Sequence, residues 1–250
     1  MNMRWRGWVV PLGFLLAAEI AMRIGDVHSD SLARPSDIFR ALWDSVVSGD
    51  ILRATLQTMG AAFGGVMVGG GLGLVVGLGF GLAPVASQLG AFSVEVFRPI
   101  PSVALIPLAM LVYGFGYRME ISVVAFACFW PMLILCHAAV TGVETRLFDV
   151  ARLLGLGRLQ QVCKIILPAA LPRVFVAFRL TVGIALVVAV TVEIAANPRG
   201  LGYGMILAQQ NLRPELMFAL LLWLGAIGWG SNAALLAAQR RLFAASARAT

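Results

Sequence analysis

The sequence predicts an all-α membrane protein of about six transmembrane helices, and three observations predict it. Residues of the apolar set AVILMFWYC make up 60% of the 250, charged residues only 12%, and the mean hydropathy is +0.90. A soluble domain carries about twice that charged fraction, so lipid rather than water is the solvent this much apolar surface requires. The apolar residues gather into long runs, and the basic residues stand between the runs, where they set the orientation of a membrane protein.

The first run is Trp8–Met22, short for a crossing of roughly 20 residues. Arg4, Arg6 and this run would also suit a signal peptide, against which Glu19 and the lack of a clean small-x-small site weigh. In either case the segment that follows is exported. There, Pro35-Ser36-Asp37 marks a helix start with Ser36 as its N-cap, and Gly49 ends it. Ile38, Phe39, Leu42, Trp43 and Val46 recur at helical spacing opposite Asp37, Arg40 and Asp44, the pattern of an amphipathic helix at the outer interface.

The second span, Thr58–Leu82, carries Gly65, Gly69, Gly73, Gly77 and Gly81 at every fourth position, with Gly60 and Gly64 leading in. Such a stripe without side chains lets another helix backbone approach closely, for packing or for sliding. The third span, Val103–Phe115, is short and is expected to begin nearer Phe97, bent by its prolines; Ile121–Val140, Val174–Ala196 and Leu216–Ala238 complete the set. With the N-terminus in the cytoplasm, twelve basic residues fall inside, Arg179 among them by snorkelling, and seven outside, so both termini are expected in the cytoplasm.

Catalytic motifs are absent. The chain has no GxSxG, HExxH or Walker A string, so it carries no ATPase site and no cofactor is expected. His28 and His137, the only histidines, have no partner cluster for a metal, and Cys128, Cys136 and Cys163 form no CxxC pair. Basic residues do not cluster on a polar domain, and Lys164 is the single lysine, which argues against a nucleic-acid partner. Glu193 is the clearest ionisable group within a span, a possible pathway or gate residue, placed near enough to the outer interface to be hydrated. Uphill transport would therefore draw its energy from outside the chain. An ion-driven carrier or channel and a lipid-acting enzyme are the competing classes, neither with a supporting residue set.

A docking element for such an energy source lies between the fourth and fifth spans, from Glu144 to Arg173. Leu147, Val150, Ala151 and Leu154 fall on one side of a short helix that Gly155 stops; a second short helix follows from Arg158, and Pro168 and Pro172 are expected to end the loop. The string Asp149-Val150-Ala151, then Gly155, then Ile165, Leu167 and Pro168 resembles the EAA loop of permeases in bacterial ABC importers, with Asp149 and Val150 departing from the first two residues of the triplet. Arg98-Pro99-Ile100-Pro101, Ala104 to Leu108, Gly114-Phe115-Gly116 and Glu193 followed by Asn197 to Gly204 resemble the nitrate, sulfonate and taurine branch of that family.

The resemblance implies a type I importer fold with residues 1–56 as an N-terminal helix plus external segment, 57–240 as the transmembrane domain and 241–250 as a cytoplasmic tail. It implies a bacterial inner-membrane permease in the lipid bilayer. Its partners would be cytoplasmic ATP-binding subunits, a periplasmic substrate-binding protein and a second permease copy, as a homodimer. The cargo would be a small anion of the sulfonate, taurine, nitrate or aromatic carboxylate class. The coupling residues would be Asp149, Val150, Ala151, Leu154, Gly155, Ile165, Leu167 and Pro168.

Overall fold

In the computed structural model, which describes residues 6–25 and 31–243, every regular element is a helix. His28 and positions 244–250 of the tail lie outside the described residues. In chain order the elements are α1 (Arg6–Ile24), α2 (Pro35–Ser48), α3 (Asp50–Gly65), α4 (Gly71–Leu82), α5 (Pro84–Phe97), α6 (Ile106–Tyr113), α7 (Tyr117–Thr141), α8 (Thr145–Leu153), α9 (Arg158–Gln161), α10 (Leu167–Ala195), α11 (Gly200–Gln210) and α12 (Pro214–Phe243). Wide π-type turns at Val66–Gly70 and Val162–Ile166 join α3 to α4 and α9 to α10 without a break.

Four described stretches are long and apolar enough to cross a membrane: Asp50–Leu82, Tyr117–Thr141, Arg158–Ala195 and Pro214–Phe243. The pair α5 and α6, with a short 3-10 turn at Ser102–Leu105, makes a fifth that is bent by 80°. Its cause is local: Pro99 and Pro101 cannot donate to the helix ladder, and each constrains the residue before it. The expected span Val103–Phe115 is thus one half of a broken element. The expected Trp8–Met22 falls on α1.

Two expected boundaries are corrected. Pro168 and Pro172 do not end the loop; the helix runs unbroken for 38 residues from Arg158. Pro168 and Pro172 lie inside that continuous helix, and the wide turn Val162–Ile166 just before Pro168 relieves its ring's clash with the preceding carbonyls. Ser36 is not the N-cap of α2. Pro35 is already helical and Arg34 is the cap position. Ser36 instead donates its backbone N–H (3.0 Å) and its hydroxyl (2.9 Å) to the Glu19 carboxylate, which places a negative charge from α1 on the first turn of α2.

The core lies where α7 and α10 cross α3 and α6. Met119, Val123, Val124 and Cys128 pack there against Ala62, Val66, Ala185, Ala189 and Val192. A second cluster of Ile51, Leu201 and Leu220 joins α3, α11 and α12, and the apolar face of α2 reaches it through Leu42 and Val46. Phe39 and Trp43 of α2 stay exposed, one turn apart, as an aromatic pair suited to a membrane interface.

Candidate functional site

The five glycines of the stripe, Gly65, Gly69, Gly73, Gly77 and Gly81, all turn to α7. A methyl group at Gly65 would meet the Val124 side chain, and one at Gly81 the Val140 side chain. At Gly69, Gly73 and Gly77 it would meet the carbonyls of Ala125, Phe129 and Leu133. Two backbones are therefore in direct contact over most of a span, a dispersion gain that lipid tails cannot supply. Gly71 and Gly79, on the same helix but off the stripe, have nothing within 4 Å. Every-fourth residues advance about 40° per step around a helix of 3.6 residues per turn, so the stripe would wind away from a straight partner. The wide turn at Val66–Gly70 holds more residues per turn and takes part of that drift back.

At the end of the bundle that holds the start of α11, a buried polar cluster is built from four elements. Glu193 on α10 is 1% exposed, not hydrated as expected for a group near an interface. Its carboxylate accepts from the Thr58 hydroxyl (2.6 Å) and from the Gly202 N–H (2.8 Å). Thr58 in turn accepts the Leu201 N–H (3.0 Å), and Gln57 Oε1 accepts the Gly200 N–H (3.1 Å). The first three N–H groups of α11, which no intrahelical carbonyl can serve, are thus each met by a side chain of α3 or α10. Gly200 has φ +92, and a Cβ at Gly200 would collide with the Glu193 carboxylate, which explains a glycine there.

Glu120 on α7 joins the cluster. It reads in the sequence as an exposed charge beside Arg118, yet it is 1% exposed; its Oε2 accepts from Asn197 Nδ2, and its Oε1 is buried with no hydrogen-bond partner among the described residues. Glu193 lines neither of the two clefts beside the α5–α6 break.

The opposite end carries the helix–glycine–helix element. α8 buries Ala151 completely and exposes Leu147, Val150, Leu153 and Leu154. Gly155 has φ +64, and Leu156 N–H reaches back to the Ala151 carbonyl (3.0 Å), closing the helix in a Schellman-type turn that favours glycine. Gln161 Nε2 donates to the Leu156 carbonyl (2.9 Å) and Arg173 to that of Gly142 (2.6 Å), tying the turn to α9 and the end of α7 to α10. Asp149 and Pro168 are exposed, Ile165 and Leu167 half-buried. Ile166 is the buried contact, packing with Ala139, Val140, Val143 and Ala170. Those positions of the loop are brought together on one face only in part: α8 and the start of α10 lie on either side of the Gly155 turn.

His137 meets Ser87 at 3.3 Å, and among the described residues no group of three His, Cys, Asp or Glu side chains could hold a metal ion.

Residues 50–245 match the family described as binding-protein-dependent transport system inner membrane component. The chain is 29% identical over 223 residues to SsuC of Bacillus subtilis (strain 168), a permease named for aliphatic sulfonates transport, covering 89% of this chain and 81% of that one. It is 31% identical over 170 residues to the taurine transport system permease protein TauC of Escherichia coli (strain K12), covering 68% and 62%. It is 30% identical over 151 residues to the nitrate import permease protein NrtB of Synechococcus elongatus, covering 60% and 51%. The fold matches a chain of the inward-facing MetNI methionine ABC transporter with a TM-score of 0.60 at 19% identity, over 84% of this chain and 99% of that one.

Proposed function

We propose, from the premise that the chain belongs to the family of inner-membrane components of binding-protein-dependent transport systems, that it imports a small anion and takes its driving force through the Gly155 turn. As such a component it is a multi-pass permease of an ABC importer, working with a binding protein and with ATPase subunits that are separate from it. The anion class, sulfonate, taurine, nitrate or aromatic carboxylate, draws its support from the names of SsuC, TauC and NrtB. Both termini lie in the cytoplasm, and a second copy of this chain completes the pathway.

The observation that carries the coupling reading is the exposed apolar face of α8 beside a left-handed glycine, in a turn that leads into the membrane-length helix Arg158–Ala195. Exposed Leu147, Val150 and Leu154 on a short helix are what a groove on a partner protein recognises. Asp149, Ala151, Ile165, Leu167 and Pro168 shape and anchor that surface. The groove of Asp37, Arg40, Asp44, Asp50, Arg213 and Glu215 at the far end of the bundle suits a soluble binding protein.

Gly155→Arg tests the coupling. A side chain at φ +64 is strained, so the turn reorganises. The permease is expected in the membrane in wild-type amounts with uptake lost and co-purifying ATPase lost or unstimulated. Retained uptake with retained ATPase would sink the docking assignment.

A further inference from the structure

The break between α5 and α6 leaves irregular backbone between membrane-length helices. α5 ends at Phe97, Pro99 and Pro101 follow, and helical structure resumes at Ser102. Inside a membrane such backbone is tolerated where it is buried in protein or lines a cavity. A cleft of about 430 Å³ opens there between the break, α7 and α10, within the size range of small-molecule sites. Arg98 and Ser102 stand on its wall with Trp130, and Phe126, Ile134 and Ile184 make it otherwise apolar. Trp130 is one residue past the midpoint of the 25-residue α7, so the cleft lies halfway along that helix, and Arg98, one of the twelve basic residues the sequence places inside, lines it there instead.

Three features give the cleft a sign. Arg98 is exposed and, among the described residues, makes no ion pair, even with Glu95 one turn earlier. No carboxylate lines the cleft among the described residues. Trp130 Nε1 is buried without an acceptor, and an indole N–H can only donate. The ring is fixed by Phe97 stacked at 6.2 Å and by Phe126 and Phe129 edge-on at 5.8 and 4.7 Å. A cation, a forked donor and a rigid N–H donor at mid-depth, with no negative group, select an acceptor with full charge.

We propose that this cleft is an anion-binding station on the translocation path. The Arg98 guanidinium supplies the charge, Trp130 Nε1–H and the Ser102 hydroxyl donate to the oxygens of a sulfonate, carboxylate or nitrate, and the apolar wall takes any organic remainder. The assignment rests on the reading of the cargo as an anion. A second cleft of about 370 Å³ shares Arg98 but is also lined by Glu95, Ser87 and His137, so the carboxylate-free lining belongs to the first cleft alone.

The test uses the permease purified with its ATPase in lipid nanodiscs and titrated with iodide, which quenches indole fluorescence on contact. The share of Trp130 among the 6 tryptophans is the difference from Trp130→Phe. That share is expected to quench saturably, to be protected by methanesulfonate or nitrate, and to need about tenfold more iodide in Arg98→Gln. The neutral quencher acrylamide should act equally on both. In proteoliposomes with the binding protein, uptake of whichever of methanesulfonate, taurine or nitrate is imported should fall about tenfold or more in Arg98→Gln and Trp130→Phe at wild-type amounts of bound ATPase. Arg98→Lys, which keeps the charge and loses the fork, should recover part of it. Iodide quenching that is equal in wild type and Arg98→Gln overturns the station, whether uptake is kept or is lost for a structural reason, and leaves anion import standing. A saturable, Arg98-dependent iodide site in a permease that imports none of the three anions upholds the station and overturns the cargo reading.

Discussion

Thr58 serves two elements with one hydroxyl, donating to Glu193 and accepting from the Leu201 N–H. Thr58→Val keeps the shape and leaves a buried N–H without an acceptor and a carboxylate oxygen without a donor, at a cost of about 1–3 kcal/mol. We expect a lower thermal unfolding temperature in detergent for Thr58→Val and a near-normal one for Thr58→Ser; equal values for all three would show that the hydroxyl carries no stability. At this scale the sequence was only partly legible. Glu193 stands out in an apolar run, but Glu120 sits beside Arg118 as if on a polar flank, and Asn197 is 77 positions away from it. Only the crossing of α7 and α10 brings them together, and no local spacing encodes that. Ser36 misled in the same way, because its partner is a carboxylate on another helix.

At the scale of elements, the glycine face orders a set of substitutions. Gly69→Ala, Gly73→Ala and Gly77→Ala each drive a methyl into a backbone carbonyl of α7, which cannot rotate aside, so even alanine is expected to cost about 1–3 kcal/mol, and leucine more. Gly71→Ala and Gly79→Ala meet open space and are expected to be neutral, or stabilising by up to about 1 kcal/mol. The yield of folded permease in detergent, measured across the five alanines, separates the two groups; a uniform result would mean the helices do not meet on this stripe. The long helices were legible because hydropathy alone marks them. Their joints were less so. A proline normally reads as a stop, and the wide turns that carry the chain past Pro168 and along the glycine face leave no residue pattern to read.

For the whole molecule, the chain carries its own topology probe. Cys128 and Cys136 are buried and Cys163 is exposed beside α9. A membrane-impermeant maleimide should label wild type only after permeabilisation, and Cys163→Ser not at all; labelling of Cys163 in intact cells would reverse the orientation proposed for both termini. Continuity of the helix that bears Cys163 matters more than its sidedness. At 1.5 Å per residue, Arg158–Ala195 is about 57 Å long, against a hydrocarbon core of about 30 Å. One end bears the Gly155 turn and the other bears Glu193, whose bond to Gly202 is 2.8 Å. As a lever pivoting near its α8 end, a rod of that length moves its far tip by about 5 Å for a tilt of about 5°. A rotation too small to disturb the packing near the pivot would thus be enough to draw Glu193 away from the Gly202 N–H, one of the three caps of α11, on the opposite side of the membrane.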